Sequence, residues 1–233
     1  MRKSHEKVVK SLVDGLLKGS PPPGSTLESE RELAVRFSVS RATVREALQQ
    51  LERSGWISIR QRHATVVNDF WTTGDLALLS SIDRNSDDFP LELALHLLEL
   101  RLQFAPDYAR KAVENGGPKL VECLSRSRKL GTSPAAIARF DWELHLTMAV
   151  LSGNKIYPLV MNSFAQLYHR LKQQFFASEE LRLIACDFYR KLMHAASEKN
   201  GAIAEEVTRS ALRQKLGVFR REAESTLLSC SVG

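Results

Sequence analysis

The feature that most constrains this chain is the stretch from residue 29 to residue 55, where two short helical patterns meet at a serine-rich break. Ser29 and Glu32 form a Ser-x-x-Glu capping box, in which each side chain satisfies a free backbone N–H at the start of a helix. The segment Ser38-Val39-Ser40 ends the first pattern and supplies an N-cap for a second helix from Arg41 to Ser54. Two helices joined by a tight turn form a helix-turn-helix.

A β-hairpin is predicted directly after this pair of helices. Gly55 stops the second helix, and the β-rich runs Trp56 to Arg60 and Ala64 to Asn68 follow it. The tip between the two runs is basic and consists of Arg60, Gln61, Arg62 and His63. The sequence therefore predicts a winged helix-turn-helix.

The second helix carries side chains that are suited to DNA. In a helix-turn-helix, the N-terminal residues of the second helix lie against base edges in the major groove. Here those residues are Ser40, Arg41, Ala42, Thr43 and Arg45. Arginine forks match guanine O6 and N7, hydroxyls reach phosphates or bases, and an alanine methyl fits a thymine methyl. Between residues 41 and 63, five arginines stand against two glutamates. This balance favours a phosphate partner over the alternative of an ordinary solvated helix.

The same residues resemble the GntR superfamily of bacterial transcription regulators. The resemblance is carried by Pro23-Gly24, Ser29 to Ala34, Val39 to Leu48, Leu51 and Gly55. Three later segments resemble the fatty-acid-responsive FadR branch, namely Asn68 to Trp71, Ser152 to Tyr157 and Phe188 to Leu192. The resemblance implies a homodimer that binds a pseudo-palindromic double-stranded operator, with half-sites about one helical turn apart.

The resemblance also implies which side chains contact DNA. Four positions match those that the family uses: Arg31, Arg41, Thr43 and Arg45. The wing departs from the family pattern, because Gln61 and Arg62 stand where the FadR branch has a histidine followed by the usual glycine, and His63 comes next. We therefore expect the operator preference to differ.

Charge and cysteine content agree with this interpretation. The net charge is +6, and the first 70 residues hold 12 Lys or Arg against 8 Asp or Glu, so most of the excess lies with the motif. Cys123, Cys186 and Cys230 lack Cys-x-x-Cys spacing, which indicates neither a disulfide framework nor a zinc finger. No signal peptide or membrane-length apolar run appears, so we expect a cytoplasmic protein without a membrane partner.

The chain is predicted to be mainly α and to contain two domains. Residues 1–70 form the winged helix-turn-helix with its small two-stranded β wing, beginning with a helix over residues 4–19, and residues 71–89 form a linker. Residues 90–233 show a helical pattern throughout, which predicts an all-α bundle for effector binding and dimerisation. The predicted helices of the bundle cover residues 90–115, 118–130, 134–152, 155–176, 178–199 and 201–228.

Two interpretations compete for the interior of the bundle, and the first is a metal site. Asp141 and His145 lie four residues apart on one helix face, and they resemble half of the metal site in the sister FCD branch. The other half is missing, because Tyr189 and Ala211 occupy the positions of two further histidines. Two ligands hold a transition metal poorly, so we expect Asp141 and His145 to pair with each other instead.

The second interpretation is a site for a small effector, and the FadR resemblance implies a long-chain acyl-CoA. The candidate ligand-binding residues are Arg101, Asp141, His145, Phe175, Tyr189, Arg209, Lys215 and Phe219. The last helix departs from the branch, which has a Tyr-Gly pair, a Ser and a Trp where this chain has Ala211-Leu212, Lys215 and Phe219. A different organic acid, a metal-bound ligand and a DNA binder without any effector therefore remain as alternatives.

No catalytic residue and no cofactor are predicted. Asp141 and His145 lack a nucleophile or a third partner at a recognisable spacing, and no Gly-rich phosphate loop is present. We therefore expect a transcription regulator of fatty-acid metabolism and not an enzyme. Whether it acts as activator or repressor depends on where its operator lies relative to the promoter.

Overall fold

The computed structural model describes residues 2–60, 63–85, 91–165, 168 and 175–230. The chain divides into two compact units, Met1–Phe89 and Pro90–Gly233. The described residues are mainly helical, and their one sheet is a two-stranded antiparallel pair in the first unit. The predicted fold class is confirmed.

Three helices form the body of the first unit: α1 (Arg2–Leu17), α2 (Glu30–Phe37) and α3 (Arg41–Arg53). Both halves of the predicted capping box are present, since the Ser29 hydroxyl accepts from the Glu32 N–H and the Glu32 carboxylate accepts from the Ser29 N–H. Ser38 ends α2 in the left-handed region, with φ of 53°. The Ser40 hydroxyl then caps α3 by accepting from the Thr43 N–H at 3.1 Å. The two predicted helices and the turn between them are therefore formed by the residues that predicted them.

The wing consists of β1 (Ile57–Ser58) and β2 (Val66–Val67), which pair antiparallel. Both strands are shorter than predicted. Thr26 forms a further antiparallel bridge to Val66, so the segment before α2 lies along β2. The side-chain amide of Asn68 fastens the base of the wing, since it donates to the Gly55 carbonyl at 2.9 Å and accepts from the Ser58 hydroxyl at 2.7 Å.

The segment predicted as a linker contains two helices, α4 (Phe70–Thr73) and α5 (Leu76–Asn85). α5 packs against α1. The Trp56 indole N–H donates to the Ser81 hydroxyl at 2.9 Å in a buried contact, and Ile82 is fully buried. These contacts make α5 part of the first unit.

In the part of the second unit that the structure describes, the bundle includes five α-helices and one 3-10 helix with defined bounds. They are α6 (Leu91–Ser125), the 3-10 helix Arg126–Lys129, α7 (Pro134–Leu151), α8 (Ile156–Ser163), α9 (Glu179–Ser197) and α10 (Gly201–Cys230). α6 packs against α7, α9 and α10. α7 is buried around most of its circumference, including its polar residues Asp141 and His145, so these two side chains lie in the bundle interior.

The predicted helix boundaries near residues 116 and 176 compare differently with the structure. α6 consists of two helical segments that meet across a kink at Gly116 (φ −141°, ψ 26°), so the predicted break at this glycine is present. A Cβ at Gly116 would lie 2.8 Å from the Leu151 side chain, which explains a glycine at the kink. The helix predicted for residues 155–176 is interrupted, since α8 ends at Ser163, Phe164 lies outside helical geometry, and Ala165 is helical again; residues 166, 167 and 169–174 lie outside the described residues.

Candidate nucleic-acid interface and effector site

The exposed face of α3 is formed by residues that were predicted to contact DNA. Arg41, Ala42 and Arg45 are exposed in its N-terminal half, whereas Val44 on the opposite face is fully buried. Ser40 precedes them as the N-cap and is exposed as well. The polar face of α3 therefore begins with a serine and two arginines, which is the arrangement that a recognition helix requires in the major groove.

Thr43 lies apart from this face. Its side chain is only 8% exposed, and its hydroxyl lies 2.9 Å from the Ser40 hydroxyl. Because the Thr43 N–H is also the group that Ser40 caps, both residues serve the start of α3. The structure places Thr43 in the helix cap and not on the face with the arginines.

Arg45 is held in a fork by Glu30 at the start of α2. Its Nε and Nη2 groups donate to the two carboxylate oxygens of Glu30 at 3.0 and 2.7 Å. These hydrogen bonds raise the pKa of Arg45 and lower the pKa of Glu30. Because the guanidinium is planar, its remaining donors lie on the opposite edge, which consists of Nη1 and the outer side of Nη2.

The remaining predicted DNA contacts lie on α2 and on the wing. Arg31 on α2 is exposed, and so is His63, whose N–H donates to the Arg60 carbonyl at 3.1 Å. Gln61 and Arg62 lie outside the described residues. Arg31, Arg41 and Arg45 thus place three exposed guanidinium groups on the helix-turn-helix.

In the second unit, the Asp141 carboxylate is the centre of a buried polar cluster. Lys215 donates to Oδ1 at 2.8 Å and the Tyr189 hydroxyl donates to the same oxygen at 3.1 Å. The Tyr168 hydroxyl donates to Oδ2 at 2.8 Å, and Arg101 reaches this oxygen through one long bond of 3.4 Å. Four donors from four separate positions therefore satisfy one carboxylate.

His145 joins this cluster from the next turn of α7. Its Nε2 lies 4.0 Å from Asp141 Oδ1, and its Nδ1 lies 2.6 Å from the Tyr108 hydroxyl. The expected pairing of Asp141 with His145 is thus present only as a long contact. Nε2 of His145 is buried and has no hydrogen-bond partner among the described residues.

The cluster controls the ionisation of its members. Burial opposes the charge of Asp141, but the neighbouring charges, that of Lys215 foremost, hold the pKa of its carboxyl well below the usual range. Burial lowers the pKa of His145 well below its usual value, and the charge of Arg101 reinforces this shift. His145 is therefore neutral at pH 7. Burial also lowers the pKa of Lys215, but its 2.8 Å bond to a carboxylate favours the charged form.

A cavity of about 80 Å³ adjoins this cluster. Arg101, Asp141 and Lys215 form its polar end. The rest of the wall is apolar and largely aromatic: Ala94, Leu97, Leu98, Phe104, Trp142, Met161, Phe164, Phe175, Leu212 and Phe219, together with the ring of Tyr168. A mostly apolar cavity with a few convergent polar groups is the usual form of a small-molecule site.

The structure brings seven of the eight candidate ligand residues to the cluster or the cavity. Phe175 and Phe219 line the cavity with their ring centroids 5.7 Å apart, and Tyr189 stands behind it on Asp141. Arg209 is the exception, because it is not among the lining residues and pairs with Glu205 one turn earlier at 2.8 Å. Leu212 lines the cavity, so the departure from the FadR pattern on the last helix falls within the candidate site.

A metal site finds no support in this geometry. Both oxygens of Asp141 already accept hydrogen bonds, two of them from tyrosines and one from an ammonium group. Among the described residues, no group of three or more His, Cys, Asp and Glu side chains is arranged to hold a metal ion.

Comparison with known proteins assigns both units. The family of bacterial regulatory proteins called gntR matches residues 4–67, and the FadR C-terminal domain matches residues 68–224. The chain belongs to the GntR family. GntR proteins are transcription regulators that bind DNA and not enzymes, so the predicted class of protein is confirmed.

Relatives of this GntR protein align with most of its length. The Fatty acid metabolism regulator protein of Shewanella pealeana is 41% identical over 192 residues, which are 82% of this chain and 80% of that protein. The protein of the same name from Shewanella frigidimarina is 40% identical over the same shares. The solved structure of Lar, which controls the expression of the Listeria monocytogenes agr system, matches with a TM-score of 0.61 and 18% identity over 93% of this chain and 96% of that chain. This last likeness concerns the fold alone.

Three residues that make hydrogen bonds within these two sites were not predicted from the sequence. Tyr108 lies seven residues after Arg101 on α6, so the helical period could have placed both on one face. Glu30 directly follows the first capping residue, but nothing local joins it to Arg45, which lies 15 positions away. Tyr168 bonds Asp141 across 27 positions, and no sequence period indicates this contact.

None of the helices that the structure describes is both long enough and apolar enough to cross a membrane.

Proposed function

We propose that this GntR protein is a cytoplasmic homodimer that regulates genes of fatty-acid metabolism by binding a pseudo-palindromic operator. The observation that carries the proposal is the alignment of 82% of the chain with proteins named Fatty acid metabolism regulator protein. Each protomer places its α3 in the major groove of one half-site, and the two half-sites lie about one helical turn apart.

In this proposal, the exposed arginines divide the work of DNA recognition. Arg41 and Arg45 read bases, because they stand at the N-terminal end of the exposed face of α3. Arg31 on α2 contacts a phosphate or a neighbouring base, and His63 belongs to the wing contact. Thr43 is assigned to the helix cap because its hydroxyl is buried beside Ser40.

The proposal also places an effector in the cavity of the bundle, and a long-chain acyl-CoA is the candidate that the FadR C-terminal domain suggests. An effector changes operator affinity only if it binds the two conformations of the dimer with different affinities. The polar end at Arg101 and Lys215 and the aromatic wall give an amphipathic molecule a place to bind.

Fluorescence anisotropy of the purified protein on a FadR-type operator and on its own upstream DNA, at stated salt, tests this proposal. We expect specific binding that a long-chain acyl-CoA or another small organic acid weakens or strengthens. Binding no tighter than to scrambled DNA contradicts the regulatory role. Specific binding that no ligand changes supports the alternative of a DNA binder without an effector.

A further inference from the structure

Glu52 is an acid on the face of α3 that carries Arg41 and Arg45. The helical period returns to this face at position 52, which is 11 residues after the first arginine and seven after the second. All three side chains are exposed. A carboxylate on a DNA-binding face opposes the approach of phosphates, because the electrostatic part of nucleic-acid affinity comes from positive charge. Its presence there indicates a separate role.

The side chain of Glu52 is bonded to the wing. Its Oε1 accepts from the Ile59 N–H at 2.9 Å. The next residue is Arg60, which begins the basic tip of the wing and is exposed, as is His63 at the other end of the tip. The bond from α3 therefore holds the backbone at the point where the tip begins.

This bond occupies the outer edge of the β1 side of the wing. The Trp56 carbonyl accepts from the Asn68 N–H at 3.0 Å, so the backbone groups of Trp56 face the β2 side. Backbone groups of an antiparallel strand alternate in direction from residue to residue. Those of Ile59, three positions later, therefore face the opposite edge, where Glu52 supplies the acceptor.

The outer edge on the β2 side has backbone partners instead. The Leu27 N–H donates to the Thr65 carbonyl at 2.9 Å, and the Val67 N–H donates to the Ser25 carbonyl at 2.9 Å. β1 and β2 have two residues each, and so short a ladder does not fix the direction of a hairpin by itself. The contacts along the two outer edges therefore contribute to that direction.

We propose that Glu52 is a positioning residue for operator recognition, because its bond to the Ile59 N–H fixes the wing relative to α3. Arg60 and His63 then contact the DNA beside the groove that α3 occupies. This inference rests on the proposed operator binding. The helix and the wing must fit one duplex at the same time, so a wing that is already fixed loses less conformational freedom on binding.

Two substitutions at position 52 separate the bond from the charge. Glu52→Gln removes the charge and keeps an oxygen that can accept from the Ile59 N–H, whereas Glu52→Ala removes both. We expect affinity for scrambled DNA to rise equally in the two variants, because each loses one negative charge. We expect operator affinity to be about fivefold lower for Glu52→Ala than for Glu52→Gln, which corresponds to one hydrogen bond. Fluorescence anisotropy at constant salt measures both affinities, and equal operator affinity of the two variants overturns the proposal.

A double-mutant cycle shows whether the bond acts through the wing. Arg60 and His63 are replaced together with Ala, which removes two exposed side chains of the tip. We expect this change to reduce operator affinity at least about twofold less in the Glu52→Ala protein than in the Glu52→Gln protein, because a wing without a fixed direction contributes less. Arg31→Ala on α2 is the control and should have the same effect in both proteins. An equal effect of the tip change in both proteins, or no effect of it in the parent, overturns the proposal.

Amide hydrogen exchange tests the bond in the absence of DNA. We expect the Ile59 amide to exchange faster in the Glu52→Ala protein than in the parent and in Glu52→Gln, as measured by NMR on ¹⁵N-labelled full-length protein. The same rate in all three overturns the proposal. A parent protein that binds its operator no tighter than scrambled DNA contradicts the proposed function itself. Operator specificity with independent effects of the Glu52 and tip changes leaves the proposed function intact and contradicts the role of Glu52.

Discussion

Among the arginine–carboxylate pairs of the described residues, Arg45–Glu30 and Arg101–Asp141 lie in opposite environments. Arg45 holds Glu30 in a fork with bonds of 3.0 and 2.7 Å, and its side chain is 62% exposed. Arg101 reaches Asp141 through a single bond of 3.4 Å, and its side chain is 10% exposed. The better geometry therefore occurs where water makes an ion pair weak, and the poorer geometry occurs where an unsatisfied charge is costly.

This difference shows what each pair is for. An exposed pair can exchange partners with DNA at little cost in stability, so good geometry there fixes the direction of the guanidinium. The buried pair is not arranged for the strongest attraction between its members, because Lys215 has the shorter bond to Asp141.

The largest expected effect follows from removing the buried carboxylate. Asp141→Asn leaves Arg101 and Lys215 buried without a counter-charge, so we expect the free energy of unfolding to fall by about 3–5 kcal/mol. Urea unfolding followed by circular dichroism measures this loss. A variant as stable as the parent would show that water or a rearranged side chain compensates the two cations.

Lys215→Met is the matched control for that variant. It removes one of the two buried cations, leaves Asp141 paired with Arg101, and fills the space with an apolar chain. We therefore expect a much smaller loss of stability than for Asp141→Asn in the same assay. A larger loss for Lys215→Met would contradict the excess of positive charge in the cluster.

The next effect concerns the exposed pair and DNA. Arg45→Ala removes a predicted base contact, and we expect specific operator affinity to fall about 5- to 150-fold with the unfolding midpoint unchanged. Fluorescence anisotropy on operator and scrambled DNA measures the change. Arg53→Ala, at the other end of α3, is the control, because it removes the same charge from the same helix. Normal operator binding by Arg45→Ala would refute the role of Arg45 in base reading.

The buried cluster also predicts a dependence of stability on pH. The pKa of His145 is lowered in the folded bundle by burial and by the charge of Arg101, so the unfolded chain binds a proton near pH 6.5 that the folded chain does not. The His145 contribution is therefore intact above pH 6.5 and is lost as the pH falls below it, by about 1.4 kcal/mol per pH unit until the folded pKa is reached.

Urea unfolding at pH 7.5, 6.5 and 5.5 tests this dependence. We expect His145→Gln to reduce the loss between pH 6.5 and 5.5, although Asp141, Lys215 and Tyr108 remain in place. Replacing the exposed His194 with Gln should leave that loss unchanged. Equal pH dependence of the parent and His145→Gln would contradict a neutral His145.

The two sites differ in how far the sequence could predict them. The helix-turn-helix was predicted residue by residue, because its signals are local: Ser29 caps a helix three residues ahead, and so does Ser40. The two short helices of residues 70–85 were not predicted, since they depend on tertiary contacts such as the bond from Trp56 to Ser81.

The bundle site was predicted only in part. The i, i+4 spacing correctly placed Asp141 and His145 on one face of a helix. The cation closest to Asp141 is Lys215, which lies 74 positions away in the sequence, and no local pattern connects such distant positions. Arg209 was assigned to the site by resemblance, whereas its own helix supplies Glu205 as an i,i−4 partner. Helix packing, and not spacing along the chain, decided which charges meet.

The smallest expected effect tests whether Glu30 positions Arg45 for base reading. With Nε and Nη2 held by Glu30, the opposite edge of the guanidinium is directed outward, where it can grip guanine O6 and N7. Glu30→Gln weakens this hold, and it also removes a negative charge from the DNA-binding face. We therefore expect non-specific affinity to rise and the ratio of specific to non-specific affinity to fall a few-fold.

Anisotropy on operator and scrambled DNA over a range of salt concentrations measures both quantities. Glu32→Gln on the same helix removes the same charge without touching Arg45, so it reports the effect of charge alone. If Glu30 positions Arg45, the specificity ratio falls more for Glu30→Gln than for Glu32→Gln. If Glu30 instead competes with DNA for the Arg45 guanidinium, the Glu30→Gln protein has a higher specific operator affinity than the Glu32→Gln protein. That result would mean that Arg45 must leave Glu30 before it reads a base.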